Sequence, residues 1–142
     1  WDYLAEIRKS WDGKMFLKGI LHGQDAARAI GLGIDGIVVS NHGGRQLDAS
    51  PAPLAKLAAI RATVGPDLPL VVDSGIRCGL DVVRALSAGA DLVLLGRGFM
   101  YAVAALGKRG GHHAASIMLQ EIRDIMAQLG LKTVDEVKQL NH

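Results

Sequence analysis

The sequence contains a single cysteine, no long hydrophobic run and almost no excess of charge of either sign. The single cysteine, Cys78, excludes an internal disulfide and a cysteine-based zinc site, and it fits a reducing compartment. The longest apolar stretches have the length of strands, so no membrane-spanning segment is expected. The 16 basic and 14 acidic residues leave a net charge of +2 and the basic residues are dispersed, so no nucleic-acid partner is expected.

The first residues also lack the pattern of a secretory signal. They read Trp1-Asp2-Tyr3-Leu4, without a basic segment that is followed by an apolar one. Because the first residue is not methionine, this start is compatible with a targeting segment in upstream sequence.

What the chain does contain is enough apolar sequence for one domain. Its 142 residues are 49% hydrophobic, which suffices to bury a core, and we therefore predict one domain over 1–142. Glycine is frequent, with 18 residues, and many of these glycines follow strand-like segments. This placement suggests a backbone that approaches a ligand closely.

Strand-like and helix-like segments alternate along the chain. Four short, nearly continuous apolar runs predict β-strands over 15–19, 36–40, 70–73 and 91–95. Helical periodicity and helix-stop signals predict helices over 2–10, 24–30, 53–64, 80–88, 96–105 and 114–129. The spacing of Thr133 and Glu136 predicts a capping box that begins a last helix.

Apolar strands that are each followed by a helix predict an α/β fold, in which a parallel sheet is covered on both faces. Four such units could form a small open sheet, or they could form half of an eight-stranded barrel. The chain begins on a helix, whereas a self-contained sheet would more naturally begin with its own strand. The order of the elements therefore favours an incomplete barrel.

Residue types suited to catalysis follow the second predicted strand. The C-terminal ends of parallel strands are where barrel and open-sheet enzymes place their chemistry. In this chain an imidazole and a guanidinium stand there, separated by two glycines, and together they can offer a base and an anion clamp to one small acid. The segment reads Ser40-Asn41-His42-Gly43-Gly44-Arg45-Gln46.

Loops that contain glycine and arginine follow the last two predicted strands. In barrels, the loops after strands seven and eight often bind phosphate together with a short extra helix. Glycine N–H groups, a helix N-terminus and one bidentate arginine from each loop would surround a dianion. The alternative is that the glycines form turns and the arginines are solvated, but two such loops on consecutive strands favour phosphate. They read Asp73-Ser74-Gly75-Ile76-Arg77-Cys78-Gly79 and Gly96-Arg97-Gly98.

Three other polar residues have more than one interpretation. Asp73 ends a strand, where it could cap the next helix or bind a ligand hydroxyl. Lys18 lies inside an apolar strand, where its amine would meet an anion or a polarised carbonyl, or would extend to solvent at the strand end. His22 opens a loop before a helix and is expected to cap that helix, not to bind a ligand.

No metal site is predicted. Because His112 and His113 are adjacent, they cannot both face one metal ion from one side of a helix. Cys78 has no base paired with it, so it is not predicted to be a nucleophile. Tyr101 is expected to pack against other residues instead of binding substrate.

The motifs together resemble those of a known enzyme family. Their order and approximate spacing are those of the FMN-dependent α-hydroxy acid dehydrogenases and oxidases, and the chain resembles the C-terminal part of that family from end to end. Within the family, the segments 11–13, 47–48 and 73–84 most resemble respiratory, quinone-linked L-lactate dehydrogenases. The motifs are Lys18-Gly19, the segment 40–46, the segment 73–77 and Gly96-Arg97.

The resemblance implies a fold and a role for each site residue. The fold would be the C-terminal half, strands 5–8, of a (β/α)8 TIM barrel. His42 would be the active-site base, Arg45 would hold the substrate carboxylate, and Lys18 would lie beside the N1–C2=O edge of the flavin. The other residues would contact FMN: Ser40 the isoalloxazine ring, Asp73 a ribityl hydroxyl, and Gly75, Arg77, Gly96 and Arg97 the phosphate.

The resemblance further implies oxidation of an L-2-hydroxy acid, L-lactate first, to the 2-oxo acid. Its electron acceptor would be a quinone, a cytochrome or oxygen. The full-length protein would be a homo-oligomer that is cytoplasmic or peripheral on the inner face of the plasma membrane. Relatives often carry a second basic residue where this chain has Cys78, which would weaken phosphate binding slightly or change nothing.

Part of the family's site is expected outside this chain, because the family takes tyrosines, a second arginine and the carboxylate partner of the histidine from the first half of the barrel. The chain is therefore expected to be a proteolytic fragment or one piece of a nicked protein. The alternative function is an inactive half-barrel that serves only as a phosphate- or flavin-binding or assembly module. Inosine-phosphate dehydrogenases and FMN-dependent isomerases share the phosphate loops, but the residues His42 and Arg45 argue against both.

Overall fold

A computed structural model describes residues 1–140, so the last two residues of the predicted domain lie outside the described part. Helices and strands alternate along it. Short 3₁₀ turns occur at His42–Gly44 and Gly107–Arg109. The helices and strands are α1 Asp2–Ser10, β1 Phe16–Ile20, α2 Gly23–Gly31, β2 Gly36–Val39, α3 Pro53–Val64, β3 Leu70–Val72, α4 Gly79–Ser87, β4 Leu92–Val93, α5 Arg97–Leu106, α6 Gly110–Gln128 and α7 Val134–Lys138.

The four strands form one parallel sheet in the order β1-β2-β3-β4, which confirms the predicted α/β fold. The register aligns Lys18 with Val38, Val38 with Val71, and Val71 with Leu92, so these side chains share one face of the sheet. On the opposite face the apolar side chains are completely buried and form the core beneath the helices: Ile37, Val39, Leu70 and Val72.

Within residues 1–140 the helices cover one face of this sheet, so the prediction that both faces are covered is wrong for this part of the chain. Ala26 and Ala29 of α2, Leu57 and Ile60 of α3, and the buried residues of α4 belong to the same core cluster as the strands. The last helix joins that cluster through Val137, which is fully buried. The predicted capping box at its start is present, because the Thr133 side chain accepts from the Glu136 N–H while the Glu136 carboxylate accepts in return.

The sixth helix begins earlier than the sequence predicts. We expect its start at residue 114, since Gly110 and Gly111 have low helix propensity, but α6 begins at Gly110. Gly110 is buried, and a Cβ at this position would overlap the carbonyl group of Ala102 in α5. The glycine thus permits a close approach of α5 and α6, and this packing outweighs helix propensity.

Both outer strands of the sheet leave apolar side chains exposed. Within residues 1–140, β1 and β4 each pair with a strand on one side only. Phe16 of β1 is 47% exposed, and Leu92 of β4 is 55% exposed. The strand predicted over 91–95 is regular only at Leu92–Val93, as befits a strand with one partner.

No helix of the described residues is long and apolar enough to cross a membrane.

Carboxylates stabilise the edge of the sheet where the strands begin. Asp35 precedes β2 and accepts from Lys14 Nζ at 2.7 Å and from the Met15 N–H at 2.9 Å. The hydrogen bond from Lys14 is the main cause of a lowered pKa at Asp35. Asp91 precedes β4 and accepts from the Leu70 N–H at 2.9 Å.

Asp91 also joins two other elements to this edge. Its carboxylate accepts from Arg61 Nη2 at 2.6 Å and from Lys138 Nζ at 2.8 Å. Burial raises the pKa of Asp91, but the hydrogen bonds from Leu70, Lys138 and Arg61 outweigh this effect, so the pKa lies below the ordinary value of 3.8. Arg61 in addition donates to the carbonyl groups of Gly89, Gly65, Pro66 and Leu68.

We expect the folded protein to lose stability as the pH falls below about 4, because Asp35 and Asp91 have lower pKa values folded than unfolded. Their stabilisation is complete at neutral pH and disappears as both carboxylates become protonated. Asp91→Asn should lower the unfolding free energy at pH 7 by about 1 kcal/mol and flatten its decline in acid. Urea unfolding at pH 7 and pH 3, on this chain joined behind the first half of the barrel, measures this, with Asp67→Asn as the control. An undiminished acid slope in Asp91→Asn would contradict the assignment.

Candidate functional site

One open cavity of about 1000 Å³ lies at the edge of the sheet where the strands end. The end of β1 and the loops that follow β2, β3 and β4 all contribute to its wall. Every predicted site residue except Ser40 lines it. The lining residues are Lys18, His42, Gly43, Arg45, Gln46, Asp73, Ser74, Gly75, Ile76, Arg77, Leu94, Leu95, Gly96, Arg97, Gly98, Met100 and Tyr101.

The loop that carries the predicted base has an unusual backbone. Three consecutive residues, His42, Gly43 and Gly44, have positive φ angles of 55°, 72° and 79°. Glycine adopts this conformation without steric cost, which explains why two glycines follow the histidine. The turn is held from the preceding residues, because Asn41 Oδ1 accepts from the Gly43 N–H at 3.0 Å. The backbone thereby fixes the direction from which the imidazole enters the cavity.

Ser40 supports this turn from beneath the cavity. It is fully buried, and its Oγ accepts from the His42 N–H at 3.0 Å. The family resemblance implies that Ser40 approaches a flavin ring, and this contact remains a prediction. The structure adds the hydrogen bond from the His42 N–H to Ser40 Oγ, which strand periodicity could not predict.

Gly19 brings the imidazole close to β1. The pairing of β1 with β2 shifts register between Lys18 and Ile20, and the intervening Gly19 has a φ of +98°. A Cβ placed on Gly19 would lie only 2.6 Å from His42 Nε2. A Cβ at this position therefore requires the imidazole to move, and the missing side chain of Gly19 leaves the space that the imidazole occupies.

Lys18 and Asp73 form an ion pair across the cavity wall. Burial raises the pKa of Asp73, but hydrogen bonds from Lys18, Ser40 and Ser74 outweigh this effect and hold the pKa below its ordinary value of 3.8. Asp73 does not cap the next helix, since α4 begins at Gly79 after Cys78. The amine of Lys18 thus meets an anion, the Asp73 carboxylate, and does not simply extend to solvent. Asp73 lines the cavity and does not cap a helix.

The loops after β3 and β4 fit a phosphate group. Exposed side chains of Arg77 and Arg97 line the same cavity. A Cβ on Gly75, Gly96 or Gly98 would meet no other atom within 4 Å, so these positions leave open space beside the backbone. A phosphate could approach the main-chain N–H groups there without steric hindrance.

One of the two neighbouring helix N-termini is free for this purpose. The N-terminus of α4 is occupied, because Glu121 Oε2 accepts from the Gly79 N–H at 2.6 Å. The N-terminus of α5, at Arg97, has Gly96 as its N-cap and no side-chain cap. The positive end of the α5 dipole therefore faces the cavity, where it favours an anion.

The charges in the cavity suit an anionic ligand with more than one acidic group. Four cationic side chains, those of Lys18, Arg45, Arg77 and Arg97, line it together with a single carboxylate, that of Asp73. Within residues 1–140, no group of three or more histidine, cysteine or acidic side chains could hold a metal ion.

Some lining residues were not predicted to belong to the site. Tyr101 was expected to pack, but its side chain is 68% exposed and lines the cavity, as does that of Met100. Both lie one turn after Arg97, which the helical period could have indicated. Ser74 also lines the cavity, although neither the motifs nor the family resemblance gave it a role. His22 behaves as predicted, because its Nδ1 accepts from the Gln24 N–H at 3.2 Å and caps α2.

Comparison with known proteins connects this geometry to a family. The family profile described as FMN-dependent dehydrogenase matches residues 1–141. The chain is 50% identical over 137 residues to the L-lactate dehydrogenase of Bartonella quintana (strain Toulouse), which covers 96% of this chain and 36% of that protein. The L-lactate dehydrogenase of Vibrio cholerae serotype O1 (strain M66-2) gives the same identity and coverage.

Solved structures agree with the sequence comparison. Mandelate oxidase with benzoyl-formic acid superposes with a TM-score of 0.92 at 42% identity, over 99% of this chain and 42% of that chain. A mandelate oxidase variant with a monooxide FMN adduct gives the same TM-score and identity over 45% of its chain. This chain thus spans little more than a third of the length of the lactate dehydrogenases, and its sheet is part of a TIM barrel. The resemblance seen in the motifs is confirmed: the chain belongs to the FMN-dependent dehydrogenase family.

Proposed function

We propose that the chain forms the C-terminal half, strands 5–8, of a (β/α)8 barrel that oxidises an L-2-hydroxy acid, L-lactate first, to the 2-oxo acid. The observation that carries the proposal is the convergence of His42, Arg45 and Lys18 with the two arginine loops in one cavity. The L-lactate dehydrogenases that are 50% identical to the chain support L-lactate as the substrate.

His42 and Arg45 act on the substrate. Arg45 binds the carboxylate of the 2-hydroxy acid through two parallel hydrogen bonds, which fixes the face that the α-carbon presents. The imidazole of His42 accepts a proton from the substrate, a role that histidine often has in general acid–base catalysis. The short Gly-Gly turn between these residues allows both side chains to reach one small molecule.

FMN is the cofactor of this family, and when bound it accepts the two electrons that leave the 2-hydroxy acid. Lys18 would lie beside the N1–C2=O edge of the flavin, Ser40 near the ring, and Asp73 at a ribityl hydroxyl. The phosphate would bind the free N-terminus of α5 and the residues that surround it: Gly75, Arg77, Gly96 and Arg97.

The first half of the barrel completes the fold in this proposal. It covers the outer strands that expose Phe16 and Leu92, and it provides the remaining substrate contacts. The half-barrel 1–142 alone is expected to be inactive and to unfold or self-associate, since open strand edges and apolar surface favour association. The full-length protein is proposed to be a homo-oligomer, cytoplasmic or peripheral on the inner face of the plasma membrane, with a quinone, a cytochrome or oxygen as electron acceptor.

An anaerobic visible spectrum tests the proposed reaction. The sample is the complete barrel, meaning this chain joined behind the first half of the barrel in one polypeptide. Addition of L-lactate should abolish the flavin absorption band within seconds to minutes, whereas D-lactate should leave it unchanged. The isolated 142-residue chain with added FMN serves as the control and should not respond. A yellow complete barrel that responds to no 2-hydroxy acid would show that the proposed reaction is wrong.

A further inference from the structure

Two hydroxyl groups join the turn of the predicted base to Asp73: that of Ser40, which is buried beneath the turn, and that of Ser74, which lines the cavity. Ser74 Oγ accepts from the Gly43 N–H at 3.0 Å and donates to Asp73 Oδ1 at 2.8 Å. The other oxygen of Asp73 forms the ion pair with Lys18. The hydroxyl of Ser74 therefore joins the turn of the predicted base to the loop after β3 and, through Asp73, to β1.

The backbone of Ser74 makes the presence of this side chain informative. Its φ is +70°, a left-handed conformation in which a residue with a Cβ is strained and glycine is not. The next residue, Gly75, has a φ of +86° and is glycine. Position 74 thus carries a side chain although its backbone conformation favours glycine. That side chain forms the two hydrogen bonds described above.

The geometry of the two bonds also gives them a direction. A hydroxyl has one proton, and Ser74 directs it at the Asp73 carboxylate, which leaves the oxygen lone pairs to accept from Gly43. The loop after β2 bears His42 and Arg45, whereas β1 and the loop after β3 bear Lys18 and Asp73. Ser74 is thus placed between the proposed substrate contacts and the proposed flavin contacts.

We propose that Ser74 is a positioning residue for the proposed oxidation, and this inference rests on the proposed function. Its hydroxyl fixes the turn at His42–Gly44 relative to Asp73 and Lys18, so that the imidazole and the guanidinium stay in register with the cofactor site. In this role it acts through the residues that it positions.

Two substitutions in the complete barrel separate positioning from mere turn formation. Ser74→Ala removes the hydroxyl and keeps the backbone strain, whereas Ser74→Gly removes both. If Ser74 only helped to form the turn, the Ser74→Gly variant would be at least as stable as the parent, and the properties of the site would not change. A positioning residue instead makes both variants lose the same site properties, whatever their melting temperatures.

Three measurements report on those properties. Hydrogen exchange of the backbone over 41–46, followed by mass spectrometry without FMN or substrate, should become about tenfold faster, since the Gly43 N–H loses one of its two acceptors, Ser74 Oγ, and keeps only Asn41 Oδ1. The value of kcat/KM for L-lactate should fall about tenfold, and the dissociation constant for FMN should rise severalfold. Ser116→Ala, which removes a hydroxyl that bonds to the His112 carbonyl in α6, should change none of the three.

The outcomes separate this inference from the proposed function. Accelerated exchange together with a lowered kcat/KM in Ser74→Gly supports the positioning role. If the unsubstituted barrel oxidises L-lactate and Ser74→Gly retains the parental exchange rate or kcat/KM, the role of Ser74 is refuted while the proposed function stands. If the unsubstituted barrel binds FMN but oxidises no 2-hydroxy acid, the proposed function fails, and the positioning role fails with it.

Discussion

His42→Ala in the complete barrel is expected to lower kcat for L-lactate by about 10²–10⁴-fold. In the proposed reaction the imidazole, which lines the cavity, accepts the proton of the substrate, and the alanine variant leaves that proton without an acceptor. Rapid mixing under anaerobic conditions, with flavin absorbance as the signal, measures the reductive step separately from reoxidation.

The matched control is His113→Ala, which removes an exposed imidazole from α6, away from the cavity. It should leave kcat unchanged. The affinity of His42→Ala for FMN should also stay within about threefold of the parent, because the substitution spares the arginine loops that we assign to the phosphate. A His42→Ala enzyme that retains a tenth or more of the parental kcat would rule out His42 as the base.

Gly19→Ala is expected to lower kcat by about 100-fold, the usual consequence of displacing a catalytic group by about 1 Å. The new Cβ would stand 2.6 Å from His42 Nε2, so the imidazole must move. Since Gly19 also has a φ of +98°, the variant should lose about 1–2 kcal/mol of stability. Steady-state kinetics and urea unfolding of the complete barrel measure the two effects.

Gly33→Ala separates these two effects from each other. Gly33 has a similar φ of +83°, but a Cβ there would make only an ordinary contact, 3.4 Å from Cδ of Arg8, far along the chain from the site loops. We expect this control to lose similar stability and to keep its kcat. Equal losses of kcat in the two variants would mean that backbone strain, and not contact with the imidazole, is responsible.

The elements of the fold follow closely from local sequence. Apolar runs and glycine stop signals predicted the four strands and the positions of most helices, because these signals act over a few neighbouring residues. The start of α6 was wrong for the opposite reason. It depends on the contact between Gly110 and the Ala102 carbonyl, a packing interaction between two helices that propensity does not describe.

The site follows from sequence only in part. The segment around His42 and the two arginine loops were recognisable, since each is contiguous and follows a strand, and the structure brings them to one cavity. The bond between Gly43 and Ser74 spans 31 residues, and Tyr101 reaches the cavity by its place on a helix. Both contacts depend on how close the loops lie in the folded protein, which the sequence alone does not show.

The carboxylates of Asp35 and Asp91 lie at the opposite edge of the sheet from the cavity. Asp35 and Asp91 precede strands, whereas His42 and Ser74 follow them. Substitutions that alter substrate preference can therefore accumulate at the cavity while the hydrogen bonds of Asp35 and Asp91 stabilise the fold at the other edge. Related proteins with this arrangement can change the residues of the site and keep the residues that stabilise the fold. The two edges of the sheet can then evolve at different rates.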